Sequence, residues 1–211
     1  MNKKIVVTLL STLLASGCSV LGGDDTVSYK DLKQEGNDLY KRSIVVNTST
    51  GDSGSYVPSV IPDVEIVRTT INTLFLTAKP TYEEYINKIM TEPSLNNYFS
   101  AVESVETDEE KRAIYDALTV ENKKLVDDFN NSSMTKEIMS NLGDASITAL
   151  SSFSKFKQLD TTSLLASLDF KDMLSEKDKL ALTLGQMSYL NDSIISAYDN
   201  YKIISAFRQA Q

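Results

Sequence analysis

Catalysis on a substrate needs a nucleophile, a proton carrier or a metal, and this sequence offers few candidates for any of them. Its one cysteine, Cys18, is the only thiol in 211 residues. Histidine is absent, so no Ser-His-Asp or Cys-His nucleophile pair can be assembled. A zinc site of the usual His and Cys type is excluded with it. Neither G-x-x-x-x-G-K-[ST] nor G-x-G-x-x-G occurs to cradle a phosphate. Carboxylates remain, clustered at Glu83-Glu84, Asp108-Glu109-Glu110 and Asp127-Asp128. Two carboxylates can divide acid and base work when an apolar pocket raises one pKa, which is the chemistry of an envelope glycosidase. The first two clusters sit at helix starts, where acids serve as caps, and the third lies at a helix end. The stretch DDFNNSS, residues 127–133, is rich in oxygen ligands for calcium. It lacks the glycine at the sixth place and the glutamate at the twelfth that an EF-hand loop requires. No metal, no cofactor and no enzymatic activity are expected.

The surroundings of Cys18 are more informative. Lys3 and Lys4 precede a largely apolar run from Ile5 to Leu14, interrupted by Thr8, Ser11 and Thr12. About ten residues rising 1.5 Å each fall well short of a bilayer core of about 30 Å. A basic start, a short apolar stretch and small residues at its end make a secretory signal. Its end, Ala15-Ser16-Gly17-Cys18, resembles the lipobox of bacterial lipoproteins. Ala15 departs from that pattern, which prefers a larger aliphatic there; Leu14 stands one place early. The resemblance covers residues 1–20 alone. It implies that the signal is cut before Cys18, that the Cys18 thiol carries lipid, and that the new amino group is acylated too, with chains such as palmitate. Each buried CH₂ adds about 0.8 kcal/mol, so two or more chains anchor durably without a membrane-spanning helix. Ser19 follows Cys18, where the family's inner-membrane retention signal would place aspartate. In an envelope of two membranes the resemblance therefore favours the outer one, facing the periplasm.

Charge agrees with a body held off the membrane surface. Removing Lys3 and Lys4 with residues 1–17 leaves 19 basic against 29 acidic residues, a net charge of −10. Such a chain repels nucleic acid and anionic lipid. With no disulfide available, packing must supply the stability.

The elements follow from periodicity. Residues 19–27 read as a flexible tether, with Gly22-Gly23 and Asp24-Asp25. Ser28 caps a first helix with Asp31 three residues on, and Tyr29, Leu32, Gly36, Leu39 and Ser43 form its narrow inner face. Residues 47–62 break the pattern as a long loop; Tyr56, Val57, Val60 and Ile61 in its second half either pack back or form a small docking patch. Asp63 caps the next helix, with Val64, Val67, Ile71, Leu74, Phe75 and Ala78 inward; its β-branched first half also allows a strand. Lys79-Pro80 is expected to end it, and Thr81 with Glu84 to start another carrying Tyr82, Tyr85, Ile86 and Ile89. Pro93 opens the next, with Leu95, Tyr98, Val102 and Val105 as its stripe. Thr107 and Glu110 form a capping box for a helix expected to run to Asn130-Asn131 through Ile114, Leu118, Leu125, Val126 and Phe129. A helix from Ser133 to Gln158 points Ile138, Leu142, Ala145, Ala149, Phe153 and Phe156 inward. Thr161 to Leu174 reads as a leucine-rich connector. Ser175 caps a last helix of about 32 residues, roughly 48 Å long, with Met187, Leu190, Ile194, Ala197, Tyr201 and Ile204 on one seam. Phe207 to Gln211 reads as a frayed end.

The expected fold is all-α: an irregular multi-helix bundle of about six or seven helices with a long C-terminal helix. Its expected boundaries are a signal at 1–17, the lipidated cysteine and tether at 18–27, and a helical domain at 28–211. The expected function is that of a lipid-anchored, non-enzymatic accessory or scaffold in the cell envelope, binding a protein partner. Tyr189, Tyr198 and Tyr201 are the candidate partner-binding side chains, since tyrosine combines apolar area with a polar tip. Two other classes stay open. Leu164, Leu165, Leu168, Phe170, Met173 and Leu174 could line an interhelical cavity for a lipid or small apolar ligand. The paired carboxylates could serve a cell-wall glycosidase.

Overall fold

The structure, a computed structural model, describes residues 28–47 and 58–209. The expected signal, Cys18, the tether, Tyr56 and Val57 lie outside the described residues. Among the described residues the chain is all helical: α1 (Tyr29–Asn47), α2 (Pro62–Thr91), α3 (Pro93–Glu103), α4 (Asp108–Asp116), α5 (Val120–Asn131), α6 (Ser133–Gln158), α7 (Thr161–Ala166) and α8 (Phe170–Gln209). These described residues fall into two compact units, one of residues 36–47, 58–75 and 149–189, the other of residues 28–35, 76–148 and 190–209.

In the first unit the apolar spacing expected of α1 and α2 is buried except at Leu74, which is half-buried. Leu39, Val64, Val67, Ile71 and Phe75 are all interior, as are Phe156, Leu165, Leu180, Leu182, Met187 and Tyr189. Phe75 meets Tyr189 edge to face, ring centroids 5.3 Å apart, the arrangement that ring quadrupoles prefer. Residues 64–71 are helix, so the strand alternative is not taken up. Ile61 is buried and Val60 is exposed. Pro62 opens α2 with its fixed φ and missing N–H, so the helix begins one residue before Asp63.

The second unit has an aromatic interior. Tyr85 packs against Phe129 (5.4 Å) and Phe99 (6.3 Å). Phe99 meets Tyr98 at 5.2 Å, and Tyr98 meets Tyr115 at 6.3 Å. Tyr115 in turn meets Phe207 at 5.7 Å. Phe207 is 6% exposed, which corrects the expectation of a frayed end. It lies one turn beyond Ile204, on the same inward side of α8.

Three boundaries differ from the expected ones. Pro80 lies inside α2, which runs 30 residues without a break. Thr81 is therefore not a cap: its hydroxyl donates to the Thr77 carbonyl at 3.1 Å. Burial on both sides of Pro80 explains the continuity, with Ala78 and Lys79 before it and Tyr82 after it all interior. The Lys79–Glu83 ion pair, 2.7 Å at i,i+4, also spans it. The expected helix from Thr107 to Asn131 is two helices. Thr119 breaks it, its side chain accepting from the Asn122 N–H at 3.2 Å in an N-cap. The break brings the Tyr115 hydroxyl to Asp127, to which it donates at 2.8 Å. Finally, α8 starts at Phe170 rather than Ser175 and has 40 residues, roughly 60 Å of helix. Asp169 takes the capping role, accepting from the Asp172 N–H at 2.9 Å.

Candidate functional site

The candidate partner-binding tyrosines divide between the two units. Tyr189 belongs to the first unit and is 0% exposed. Tyr198 and Tyr201 belong to the second. Tyr198 is 43% exposed, with Lys202 Nζ 4.6 Å from its ring centroid. Tyr201 is half-buried, and its carbonyl accepts from Asn130 Nδ2 (3.3 Å) and Ser205 Oγ (2.8 Å). The leucine-rich run is also dispersed. Leu165 is buried, whereas Phe170 and Leu174 are exposed.

The carboxylate clusters resolve into helix chemistry. Glu83 pairs with Lys79, and Glu84 is exposed. Glu110 completes the capping box with Thr107; these bonds hold its carboxyl below the usual range. Asp127 accepts from Tyr115, and Asp128 pairs with Lys124 at 2.5 Å. Asn130 Nδ2 donates to Ser205 Oγ at 3.1 Å and Asn131 Nδ2 to the Asp127 carbonyl at 2.7 Å. Residues 127–133 thus tie helix ends together. Among the described residues, no three His, Cys, Asp or Glu side chains gather as metal ligands.

Two carboxylates that sequence alone left unremarked are the unusual ones. Glu176 is wholly buried with Lys179 beside it. Lys179 Nζ donates to Glu176 Oε1 (2.7 Å) and to the Pro58 carbonyl (2.8 Å). Val60 N–H donates to Glu176 Oε1 at 3.1 Å, and the Ser59 hydroxyl donates to Oε2. Ser59 N–H reaches Glu65 Oε2 at 2.6 Å, which also takes Arg68 Nη1 at 2.8 Å. Burial pushes the Glu176 carboxyl up, but Lys179, Ser59 and Val60 together outweigh it and hold it below the usual range. Every oxygen is taken, so the group fastens residues 58–61 to α8; acid and base neutralise each other. Gln186 extends this polar seam, donating to Ser43 Oγ and Asn72 Oδ1, both at 2.7 Å.

Glu103 is the second case. It closes α3 and accepts the Tyr29 N–H at 3.0 Å, at the very start of α1. Burial pushes its carboxyl up to about 7, partly offset by the Tyr29 N–H and Lys30. The Tyr29 hydroxyl donates to Asn96 Oδ1 at 2.5 Å and lies 2.8 Å from Ser100 Oγ. A glutamate at a helix end reads as solvated from sequence, because nothing local says that another helix begins against it.

These groups hold helices together; none pairs an activated nucleophile with a free base. Among the described residues no helix is long and apolar enough to cross a membrane. No protein-family model, no curated protein and no solved structure matches this chain.

Proposed function

We propose that the chain is a bacterial lipoprotein, anchored in the envelope membrane through acyl chains on Cys18, whose helical body is a non-enzymatic accessory or scaffold for a protein partner. The observation that carries this is the order Lys3-Lys4, apolar run, Ala15-Ser16-Gly17-Cys18. The all-helical body and the self-paired ion pairs at Lys79–Glu83 and Glu176–Lys179 support a binding role over a catalytic one. Ile195 and Tyr198, 50% and 43% exposed one turn apart on α8, are the side chains a partner is expected to take up, with Tyr201 at their edge. The net charge of −10 after removal of residues 1–17 keeps nucleic acid off the body.

The test is made in the native host. Intact mass of the mature protein should begin at Cys18 and carry acyl chains, and Cys18→Ser should leave the membrane fraction. An unmodified thiol on freely soluble material would end the proposal. Crosslinking before mild detergent extraction should recover a partner whose yield falls with Ile195→Lys or Tyr198→Ala. Recovery of monomer alone would remove the scaffold half.

A further inference from the structure

Buried tyrosines of the second unit direct their hydroxyls at protein partners. Tyr29 donates to Asn96 Oδ1 at 2.5 Å, Tyr82 to Ser196 Oγ at 3.2 Å, and Tyr115 to Asp127 Oδ1 at 2.8 Å. Tyr98 departs from this pattern. It is 2% exposed, its hydroxyl oxygen is buried, and among the described residues no protein atom bonds to it. An unpaired buried hydroxyl weakens a fold by roughly tenfold or more in its equilibrium constant, so native proteins rarely keep one without an answering group. We propose that Tyr98 of α3 and Asp127 of α5 hold one internal water between them, beside Tyr115 of α4.

The groups around the hydroxyl decide what can answer it. The Tyr98 ring meets Tyr115 edge to face at 6.3 Å, and the Tyr115 hydroxyl fixes the Asp127 carboxylate by its bond to Oδ1. Burial, Tyr115 and Asp127, in that order, push the Tyr98 hydroxyl up, so it keeps its proton and presents a donor. The site therefore pairs a neutral donor with an anionic acceptor. An anion is repelled by Asp127, and an ammonium has no lone pair to take the Tyr98 proton. Rings at 5.2 Å (Phe99) and 6.3 Å (Tyr115) leave little space for anything larger. A water accepts from Tyr98 on its oxygen and donates to Asp127. That gives it the two polar partners a buried water needs at minimum. Asp127 is half-buried, so exchange with solvent runs past its carboxylate. The water brings α3 into the bond that already joins α4 to α5.

Two measurements on the full chain test it. Relaxation dispersion of ¹⁷O counts long-lived waters by their oxygens and is blind to exchange of hydroxyl protons. Tyr98→Phe removes the hydroxyl and little else. It should lose one such water against the wild type and raise the unfolding constant in urea about fivefold. An unfolding constant that is unchanged or lowered overturns the proposal, since deleting an unpaired hydroxyl relieves a penalty. A raised constant with the same ¹⁷O count overturns it too, because the bond then goes to a protein atom. A crystal of the wild-type chain gives the second reading and stands even where Tyr98→Phe does not fold. It should show an oxygen about 2.7–3.0 Å from both Tyr98 Oη and an Asp127 carboxylate oxygen. A Tyr98 hydroxyl bonded directly to protein, or facing carbon alone, overturns the site. Cys18→Ser should leave both readings as they are, so the water site stands or falls apart from the anchor.

Discussion

Gly36 and Tyr189 touch so closely that a side chain at the first position must displace the second: a Cβ on Gly36 would lie 2.7 Å from Tyr189 Cε2 and 3.0 Å from Cζ. The ring cannot retreat, since Tyr189 is wholly buried and its edge contact with Phe75 fixes it from another side. Gly36→Ala gains about 1 kcal/mol of helix propensity but overpacks a closed core at about 1–3 kcal/mol. It should lower stability by about 1 kcal/mol net. Gly143 in α6 has nothing within 4 Å of its would-be Cβ, so Gly143→Ala should raise stability by about 0.5–1 kcal/mol. Urea unfolding of the two variants reads the opposite signs directly.

Pro80 offers a second gain. It is exposed and sits within α2, where it withholds the N–H that the Leu76 carbonyl would accept. A proline inside a helix costs about 3 kcal/mol. Pro80→Ala removes no buried contact and should stabilise by about 1–3 kcal/mol. A thermal midpoint no higher than that of the wild type would mean that the helix bends here in a way its neighbours need.

Much of the architecture was legible because it rests on local rules. The faces at Tyr29, Leu32, Leu39 and Ser43 and at Tyr82, Tyr85, Ile86 and Ile89 are buried as helical spacing requires, and the Thr107–Glu110 box forms. The errors came where a local rule met a tertiary contact. Pro80 should stop a helix, yet burial on either side carries α2 through it. Leu118 and Leu125 keep a heptad interval, yet Thr119 caps a new helix and lets Tyr115 reach Asp127. The fastening carboxylates were not legible at all, because their partners are distant in sequence. Glu176 answers Ser59 and Val60, and Glu103 answers Tyr29. Tyr189 illustrates the same limit: a tyrosine reads as core or interface until its face is known.

The Glu176–Lys179 pair should behave as a unit. Removing one partner leaves a buried charge, at about 3–5 kcal/mol. Lys179→Met strands the carboxylate with Ser59 and Val60 alone; Glu176→Leu strands the ammonium on the Pro58 carbonyl. The double variant leaves neither and should cost far less than the two single losses added. A double-mutant cycle in urea should give a coupling energy above about 1 kcal/mol. Strict additivity would mean that water enters and the pair is not desolvated.

Stability against pH should carry two limbs of opposite sign, one from each unit. The Glu176 carboxyl is held below its ordinary value, so its contribution is present above the unfolded pKa of about 4.5 and is lost as pH falls below it. Glu103 works the other way. Its folded value of about 7 exceeds the unfolded one, so its contribution is full below about 4.5 and drains as pH rises through about 7. Screening of a partly exposed carboxylate brings that loss to about 1–2 kcal/mol. Thermal melts from pH 3 to pH 9 should therefore peak near pH 5. Glu103→Gln should flatten the descent above that peak and leave the acid limb in place, and Glu176→Gln should do the reverse. A single variant that abolishes both limbs would show that the two carboxylates titrate against a shared field, in place of the separate partners that surround each of them.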